Sequence, residues 1–158
     1  MENKKLAIIG ATGLVGQTTL KVLAEKKFPN FEYELFASKK SQGKKVKFME
    51  EEYEIQELTK ETFNKKFDYA IFVAGGAVSK EYAPIAVQNG TIVIDNSSYF
   101  RMNKDVPLIV PEVNAQKIKK HKGIIANPNC STIQAVVALK PLDDKYKIPR
   151  FAIQKTTS

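Results

Sequence analysis

The chain has 158 residues, which is enough for one domain of ordinary size with a buried core. Hydrophobic residues make up 43% of it, which excludes the composition of an intrinsically disordered chain. The formal net charge of +8 reflects 25 basic residues, nearly all of them lysines spread along the chain without the interleaved aromatic residues of RNA-binding segments. We therefore interpret most of this charge as solvated lysine and expect no nucleic-acid partner.

Cysteine content and apolar run length bear on the cell compartment. Cys130 is the only cysteine, so no disulfide can form within the chain, and this is typical of the reducing cytoplasm. The first apolar run, residues 6–9, is too short for a signal peptide or a membrane span, and no other segment approaches spanning length. We expect a cytoplasmic protein without a membrane partner.

The chain begins with a predicted strand, a glycine-rich turn and a helix. Residues 4–9 are typical of a buried strand, and residues 17–27 have the apolar spacing of a helix. In such units the first glycine permits the turn, the second lets the backbone approach a pyrophosphate, and the third permits close helix packing. A plain glycine-rich turn is the alternative. The pattern predicts nucleotide binding by Gly10, Thr12, Gly13, Leu14, Val15 and Gly16.

The second predicted strand, residues 31–37, leads into a loop that indicates the cofactor type. NAD-binding folds place a carboxylate about twenty positions after the glycines, where it accepts hydrogen bonds from the ribose. This chain has hydroxyl and ammonium groups there instead, at Ser38, Lys40 and Ser41. A 2′-phosphate would be attracted to these groups, so the sequence favours NADP over NAD. The alternative is that the lysines only solvate the loop.

Two further residues follow predicted strands at their carboxyl ends, where ligands bind in open α/β sheets. We assign Gly75 and Asn96 to the cofactor site on this ground, although Gly75 could serve only to make a turn. The middle of the chain is predicted to contain one or two edge strands (46–58), a short helix (59–66), a core strand (69–73), a helix starting at Ser79 (79–89) and a strand (91–95).

Arg101 is one of only two arginines, and its planar fork suits a carboxylate or a phosphate. We interpret it as an anion-binding residue, with a structural ion pair as the alternative. Beyond it, the sequence predicts a short strand over residues 106–110 and a helix over residues 111–120. His121, the only histidine, lies in a lysine-rich segment, and we interpret it as a surface residue rather than a catalytic base.

Cys130 lies between a predicted strand, residues 123–126, and a predicted helix, residues 131–139, that Pro141 interrupts. A thiol at a helix N-terminus is close to the positive end of the helix dipole, which favours the nucleophilic thiolate. The alternative is a small buried hydrophobic residue. The flanking turn residues favour the nucleophile.

The alternation of strands and helices predicts an α/β fold, Rossmann-like and doubly wound, with a mostly parallel sheet and helices on both faces. We divide the chain into an NADP-binding domain, residues 1–142, and a linker with the aborted start of a second domain, residues 143–158, whose first strand would begin near Arg150. No metal ligands are assigned.

These motifs together resemble the aspartate-β-semialdehyde dehydrogenases. The resemblance extends over roughly residues 4–142, with the motifs in the family's order. It rests on the glycine motif 10–16, on Ala37-Ser38 with the lysines and Gly43 that follow, and on residues 72–76, 93–98, 100–102, 110–114 and 127–132.

The resemblance implies a chemistry and a pathway. The family interconverts β-aspartyl phosphate and aspartate β-semialdehyde with NADP, through a thioester on a cysteine that Cys130 matches. Asn129 matches a residue that positions substrate beside the thiol, and Arg101 matches a phosphate-binding arginine. The reaction feeds lysine, threonine, methionine and diaminopimelate synthesis, and the full-length family members are expected to be homodimers or larger oligomers.

Two departures from the family pattern limit what the resemblance implies. The family's second domain, with its general-base histidine, has no counterpart here, and the pattern is lost around Gln154. A truncated, frameshifted or split coding sequence would explain this, and a separately encoded second half would restore the enzyme. We therefore expect the chain to be inactive alone. The alternatives are a non-catalytic nucleotide-binding module and an N-acetyl-γ-glutamyl-phosphate reductase.

We predict that the chain binds NADP more tightly than NAD, because the loop at Ser38 to Ser41 has no carboxylate to repel a 2′-phosphate. Calorimetric titration of the purified chain with each nucleotide measures the difference. Equal affinities would show that the lysines of this loop do not take part in binding.

Overall fold

The computed structural model of the chain describes residues 3–28 and 30–152. Its helices and strands alternate along the chain, with a 3-10 turn in several of the connections. The strands are β1 Lys4–Ile9, β2 Phe31–Ala37, β3 Lys45–Phe48, β4 Glu51–Glu54, β5 Gln56–Glu57, β6 Tyr69–Phe72, β7 Ile92–Asp95 and β8 Ile124–Ala126. The helices are α1 Leu14–Lys26, α2 Gly76–Gln88, α3 Pro111–Asn114 and α4 Cys130–Tyr146.

Six of the strands form one parallel sheet in the order β5-β2-β1-β6-β7-β8. β1 lies in the middle and pairs with two neighbours, so Ile8 lies beside Leu35 on one side and Ile71 on the other. The direction in which strands are added to the sheet reverses at β1. The chain places β2 and β5 on one side of β1, and it then returns to place β6, β7 and β8 on the other side. This arrangement confirms the predicted doubly wound, mostly parallel sheet.

Alternate residues of each strand face opposite sides of the sheet, and each side has its own core. On one side the buried strand residues Ala7, Phe72 and Val93 pack in a cluster with Ala83 and Ala86 of α2. On the other side Leu6, Ile8 and Leu35 pack with Leu20 and Leu23 of α1. Helices therefore cover both faces, as the sequence predicts.

The connection between β2 and β6 differs from the prediction in detail. Instead of one or two edge strands it contains the antiparallel hairpin β3–β4 and the two-residue strand β5, which pairs with β2. The predicted helix over residues 59–66 is a 3-10 turn, Lys60–Asn64. Thr59 is its N-cap, and the side chains of Thr59 and Thr62 form a capping box there.

Three predicted elements after β6 differ from the structure. The helix predicted to start at Ser79 begins at Gly76, and Ser79 lies fully buried inside it. Its hydroxyl donates to Asp95 instead of capping the helix. Residues 106–110 do not form a strand, since Leu108 makes only a single bridge to Ala126. The helix predicted over residues 111–120 is one α-helical turn, α3, followed by a 3-10 segment, Ala115–Lys120.

The prediction that Pro141 interrupts the last helix was also wrong. Proline removes only one N–H donor, and α4 continues through it to Tyr146. The helix ends where Lys147 adopts a positive φ of 56° and donates its N–H to the carbonyl of Asp143. Residue 142, the predicted domain boundary, therefore lies inside α4. Arg150 and the two residues after it form no strand, and residues 153–158 lie outside the described residues.

None of the helices in residues 3–28 and 30–152 has both the length and the apolar character that a bilayer span requires.

Two glycines of the β1–α1 turn are required by close contacts. Gly10 has a φ of 96°, and a Cβ there would lie 2.8 Å from the backbone of Ala74 at the end of β6. A Cβ on Gly16 would lie 2.1 Å from the carbonyl oxygen of Gly10. Gly13 is different, because a Cβ there would meet only the Gly10 oxygen, at an ordinary 3.5 Å. The first and third glycines thus set the packing of α1 on the sheet.

We predict that Gly16→Ala lowers the free energy of unfolding by about 3 kcal/mol, because the added methyl group overlaps backbone that cannot move independently. Gly13→Ala is the matched control and should cost less than about 1 kcal/mol, since it only worsens a helix cap. Urea unfolding measures both. Equal losses in the two variants would contradict the close approach at Gly16.

Candidate functional site: a cleft and a thiol at one sheet edge

A cleft at the carboxyl edge of the sheet lies between the ends of β1, β2 and β6. Its volume is about 500 Å³. None of the described residues that line it is acidic. They are Ile9, Gly10, Thr12, Gly13, Ala37, Ser38, Lys39, Leu58, Val73, Ala74, Val78 and Tyr82. The cleft lies where the strand order reverses, which is the position at which open α/β sheets bind ligands.

The N-terminus of α1 opens beside this cleft. Gly13 precedes the first helical residue, and its carbonyl accepts the first hydrogen bond of the helix, from Gln17. The N–H groups of Leu14, Val15 and Gly16 precede that bond and have no acceptor within the helix. With no acidic side chain in this turn, the helix end presents donors and a positive partial charge that suit a phosphate.

The loop after β2 forms a second wall of the cleft. Ser38 and Lys39 line it directly, and a short 3-10 turn, Lys39–Ser41, follows. The Thr12 hydroxyl donates to the Ser41 hydroxyl at 3.4 Å, which joins this loop to the glycine turn. Sequence reasoning selected Lys40, whereas the lysine that lines the cleft is Lys39. Both side chains are exposed, so both bring positive charge to this wall.

The opposite wall is apolar except for one phenol. Leu58, Val78 and Tyr82 lie there, and none of them was selected from the sequence. Burial raises the pKa of Tyr82 above its ordinary value, and the negative charges of Glu81 and nearby glutamates act in the same direction. The phenol therefore stays protonated at neutral pH and can donate a hydrogen bond to a ligand.

The predicted cofactor residues fall into three groups. Gly10, Thr12, Gly13 and Ser38 line the cleft, and Ser41 contacts Thr12 beside it. Gly16 is buried against the Gly10 carbonyl, and the side chains of Leu14 and Val15 point into solvent at the start of α1. Gly75 precedes α2 after β6, and Asn96 follows β7, so both lie at the same edge of the sheet but outside the cleft lining.

Cys130 is the first residue of α4 and is exposed, which excludes the alternative of a buried core thiol. Asn129 is the helix N-cap, and its side-chain oxygen accepts the Ser131 N–H at 2.9 Å. The same oxygen lies 3.9 Å from the Cys130 sulfur. The cap holds the thiol at the helix N-terminus, directly after the carboxyl end of β8.

Arg101 is hydrogen-bonded to backbone rather than to a carboxylate. Its Nε donates to the carbonyl of Asn127, and its Nη2 donates to the carbonyl of Asn96, both at 2.9 Å. No acidic side chain among the described residues forms an ion pair with Arg101, so the alternative of a structural ion pair is not supported. The guanidinium is half-buried between the loop that follows β7 and the loop that carries Cys130.

The main residue that sequence reasoning missed is Asp95, at the end of β7. Its carboxylate is fully buried. It accepts hydrogen bonds from the Ser79 hydroxyl at 2.6 Å, the Ser97 hydroxyl at 2.8 Å and the Ser97 N–H at 3.1 Å. The available signal was an aspartate ending an apolar strand, because a buried carboxylate requires several donors. Asp95 thereby joins α2 to the loop that leads to Arg101.

His121 lies at the other edge of the sheet from Cys130. It precedes β8, whereas Cys130 follows it, and its Nδ1 accepts the Gly123 N–H at 3.1 Å. It is half-buried rather than on the surface. The part of the chain that the structure describes contains no cluster of three or more His, Cys, Asp or Glu side chains that could hold a metal ion.

Comparison with protein families gives a match over most of the chain. Residues 5–121 match the family described as semialdehyde dehydrogenase, NAD binding domain. The chain is 56% identical to the aspartate-semialdehyde dehydrogenase of Aquifex aeolicus over 151 residues, which are 94% of this chain and 44% of that protein.

Solved structures agree with this match. The aspartate semialdehyde dehydrogenase II of Vibrio cholerae complexed with ASA has a TM-score of 0.84 and 46% identity, over 91% of this chain and 47% of that one. The enzyme of Candida albicans with NADP has a TM-score of 0.73 and 32% identity, over 92% of this chain and 48% of that one. The chain thus spans about half the length of these relatives.

We predict that Asp95→Ala lowers the free energy of unfolding by about 3 kcal/mol, because it leaves the buried Ser79 and Ser97 groups without their acceptor. Asp105→Ala removes the carboxylate of an exposed pair with Lys122 and should cost less than about 1 kcal/mol. Thermal or urea unfolding measures both. A loss at Asp95 no greater than at Asp105 would show that the buried network contributes little.

Proposed function

Since the chain belongs to the semialdehyde dehydrogenase NAD-binding domain family, we propose that it is the cofactor-binding half of an aspartate-semialdehyde dehydrogenase. The reaction is the NADP-dependent interconversion of L-aspartate 4-semialdehyde plus phosphate with 4-aspartyl phosphate. One observation carries the proposal. An exposed thiol starts α4 at the same edge of the sheet as a nucleotide-sized cleft beside a glycine turn.

The residues of the cleft fit NADP as the nucleotide. The N–H groups at the start of α1 suit the pyrophosphate, and the missing Cβ of Gly13 leaves them accessible. Ser38, Lys39 and Lys40 offer hydroxyl and ammonium groups to a 2′-phosphate where an NAD-binding chain would have a carboxylate. The relative from Candida albicans is a complex with NADP, which supports the same choice.

Cys130 provides the nucleophile of the proposed reaction. In the direction of semialdehyde oxidation its sulfur bonds to the aldehyde carbon, and the carbonyl oxygen takes up the developing negative charge. NADP, when bound, accepts the hydride that leaves this carbon. The carbon then remains on Cys130 as a thioester, and phosphate attacks it to give the acyl phosphate and free the thiolate.

Two residues beside the thiol fit supporting roles. Asn129 orients Cys130 through the helix cap, and its amide nitrogen is available to a substrate oxygen. Arg101 is hydrogen-bonded to the backbone of both loops of this site, and we assign it to the substrate phosphate or to inorganic phosphate. Both assignments rest on the family match together with this geometry.

The proposed reaction also needs a general base within hydrogen-bond reach of the thiol. His121 is at the opposite edge of the sheet, and no other histidine exists in the chain. We therefore expect the chain alone to bind NADP without turnover. We propose that the base comes from the second half of the enzyme and that the whole enzyme is a homodimer. The same observation favours one alternative, a nucleotide-binding module that does no catalysis.

A chimera separates these two functions. Residues 1–150 of this chain replace the matching part of the Aquifex aeolicus relative, and phosphate-dependent reduction of NADP by aspartate semialdehyde is measured. We expect activity in the chimera, at least a thousandfold loss in the chimera with Cys130→Ala, and none in the chain alone.

Two results of this experiment would contradict the proposal. An inactive chimera that still binds NADP would overturn the enzymatic proposal and favour the non-catalytic module. Turnover of N-acetylglutamate semialdehyde in preference to aspartate semialdehyde would instead identify the related reductase. Cys130→Ser is the matched control for folding, because it keeps the size of the side chain while replacing the thiolate with a much weaker nucleophile.

A further inference from the structure

Three hydrogen bonds connect Arg101, Asn96 and Asn127, and the two that involve Asn127 join the loop that follows β7 to the loop that carries Cys130. Two are the bonds from Arg101 to the carbonyls of Asn127 and Asn96, both at 2.9 Å. The third links the two asparagines to each other, from Asn127 Nδ2 to Asn96 Oδ1 at 2.6 Å. The three residues therefore form a closed arrangement in which each one contacts the other two.

The backbone on both sides of this arrangement is anchored to the sheet. The Asn127 N–H donates to the carbonyl of Asp95 at 2.8 Å, and the Asn96 N–H donates to the carbonyl of Phe72 at 2.9 Å. These bonds extend the ladders at the ends of β7 and β8. These backbone bonds do not fix the distance between the two carbonyls that Arg101 contacts. The hydrogen bond between the side-chain amides of Asn127 and Asn96 sets that distance.

The way Arg101 is held leaves one edge of the guanidinium available. The guanidinium has two edges that each present two parallel N–H groups. The side edge consists of Nε–H and one N–H of Nη2, and the end edge consists of the other N–H of Nη2 and one N–H of Nη1. The two carbonyls accept from Nε and Nη2, the two nitrogens of the side edge. Nη1 has no hydrogen-bond partner among the described residues, so the end edge is the side on which the guanidinium can bind an oxyanion, and its two parallel N–H groups match two oxygens of a phosphate or a carboxylate.

We infer that Asn127 is a positioning residue for the anion site. The hydrogen bond from its side-chain amide to Asn96 holds in place the two carbonyls that orient the end edge of Arg101 toward the anion. This inference rests on the proposed function, which supplies the anion. Asn127 itself does not touch the ligand. Because Cys130 is only three residues beyond Asn127, the same bond fixes where the anion lies relative to the thiol.

The composition of the chain makes the test direct. Arg101 and Arg150 are its only arginines, so an isotopically labelled sample gives two side-chain Nε–H signals by heteronuclear NMR. Arg150→Lys assigns them. The Arg101 signal reports the bond to Asn127 through its rate of exchange with solvent, and it reports anion binding through its shift on titration with inorganic phosphate. The Arg150 signal is the internal control.

We expect inorganic phosphate to move the Arg101 signal of the unmodified chain and not the Arg150 signal. In Asn127→Ala the apparent affinity for phosphate should fall about fivefold to tenfold, and Arg101 Nε–H should exchange faster by a similar factor. Asn103→Ala is the matched control, since Asn103 is an exposed asparagine two residues from Arg101 with no bond to it. It should change neither quantity.

A double-mutant cycle excludes a general loosening of the fold. Because the two amides bond to each other, Asn96→Ala combined with Asn127→Ala should weaken phosphate binding about as much as either change alone, measured without NADP. Fully additive losses would overturn the inference. So would unchanged Arg101 exchange and phosphate affinity in Asn127→Ala, or equal phosphate shifts of both arginines in the unmodified chain. An active chimera combined with any of these results would leave the proposed function intact.

Discussion

The parallel pairing of β1 with both β2 and β6 is the constraint on which the rest of the structure depends. Parallel strands all end at the same edge of the sheet, so the loops after β1, β2, β6, β7 and β8 meet there although they are far apart in sequence. Gly10 makes the central crossing possible, because any side chain at its position would overlap Ala74 at the end of β6. The cleft and the thiol loop both follow from this arrangement.

Polar groups then hold these loops in register with one another. The buried carboxylate of Asp95 joins α2 to the loop after β7, and the backbone carbonyl of the same residue accepts the Asn127 N–H of the thiol loop. Ser41 and Thr12 join the loops on the cofactor side through their hydroxyls. Each of these bonds links residues that are at least 16 positions apart in the chain, so the site is a property of tertiary structure.

The sequence predicted the elements whose signals are local. β1 and β2 have the predicted bounds, because β1 contains the apolar run 6–9 and β2 alternates apolar with acidic residues before its apolar end. Residues 106–110 have the composition of a strand, but among the described residues only Leu108 pairs with β8, through a single bridge to Ala126, so no strand forms. Pro141 was expected to end a helix, yet the cost of one proline is local and the remaining bonds carry α4 onward. The residues of the glycine turn and Ser38 could be predicted for the cleft, whereas Tyr82 and Lys39 could not, because side-chain direction is set by packing.

The helix that carries the thiol has a further consequence. None of the 17 residues of α4 is buried, although α1 and α2 each bury part of their length in a core. Segments with few buried contacts open at a lower free energy than the core does. In denaturant, α4 would therefore open locally before the cooperative unfolding of the sheet. Cys130 is already exposed in the folded chain, so its chemical modification needs neither step, and the reactivity of the thiol and the stability of the domain are separate properties.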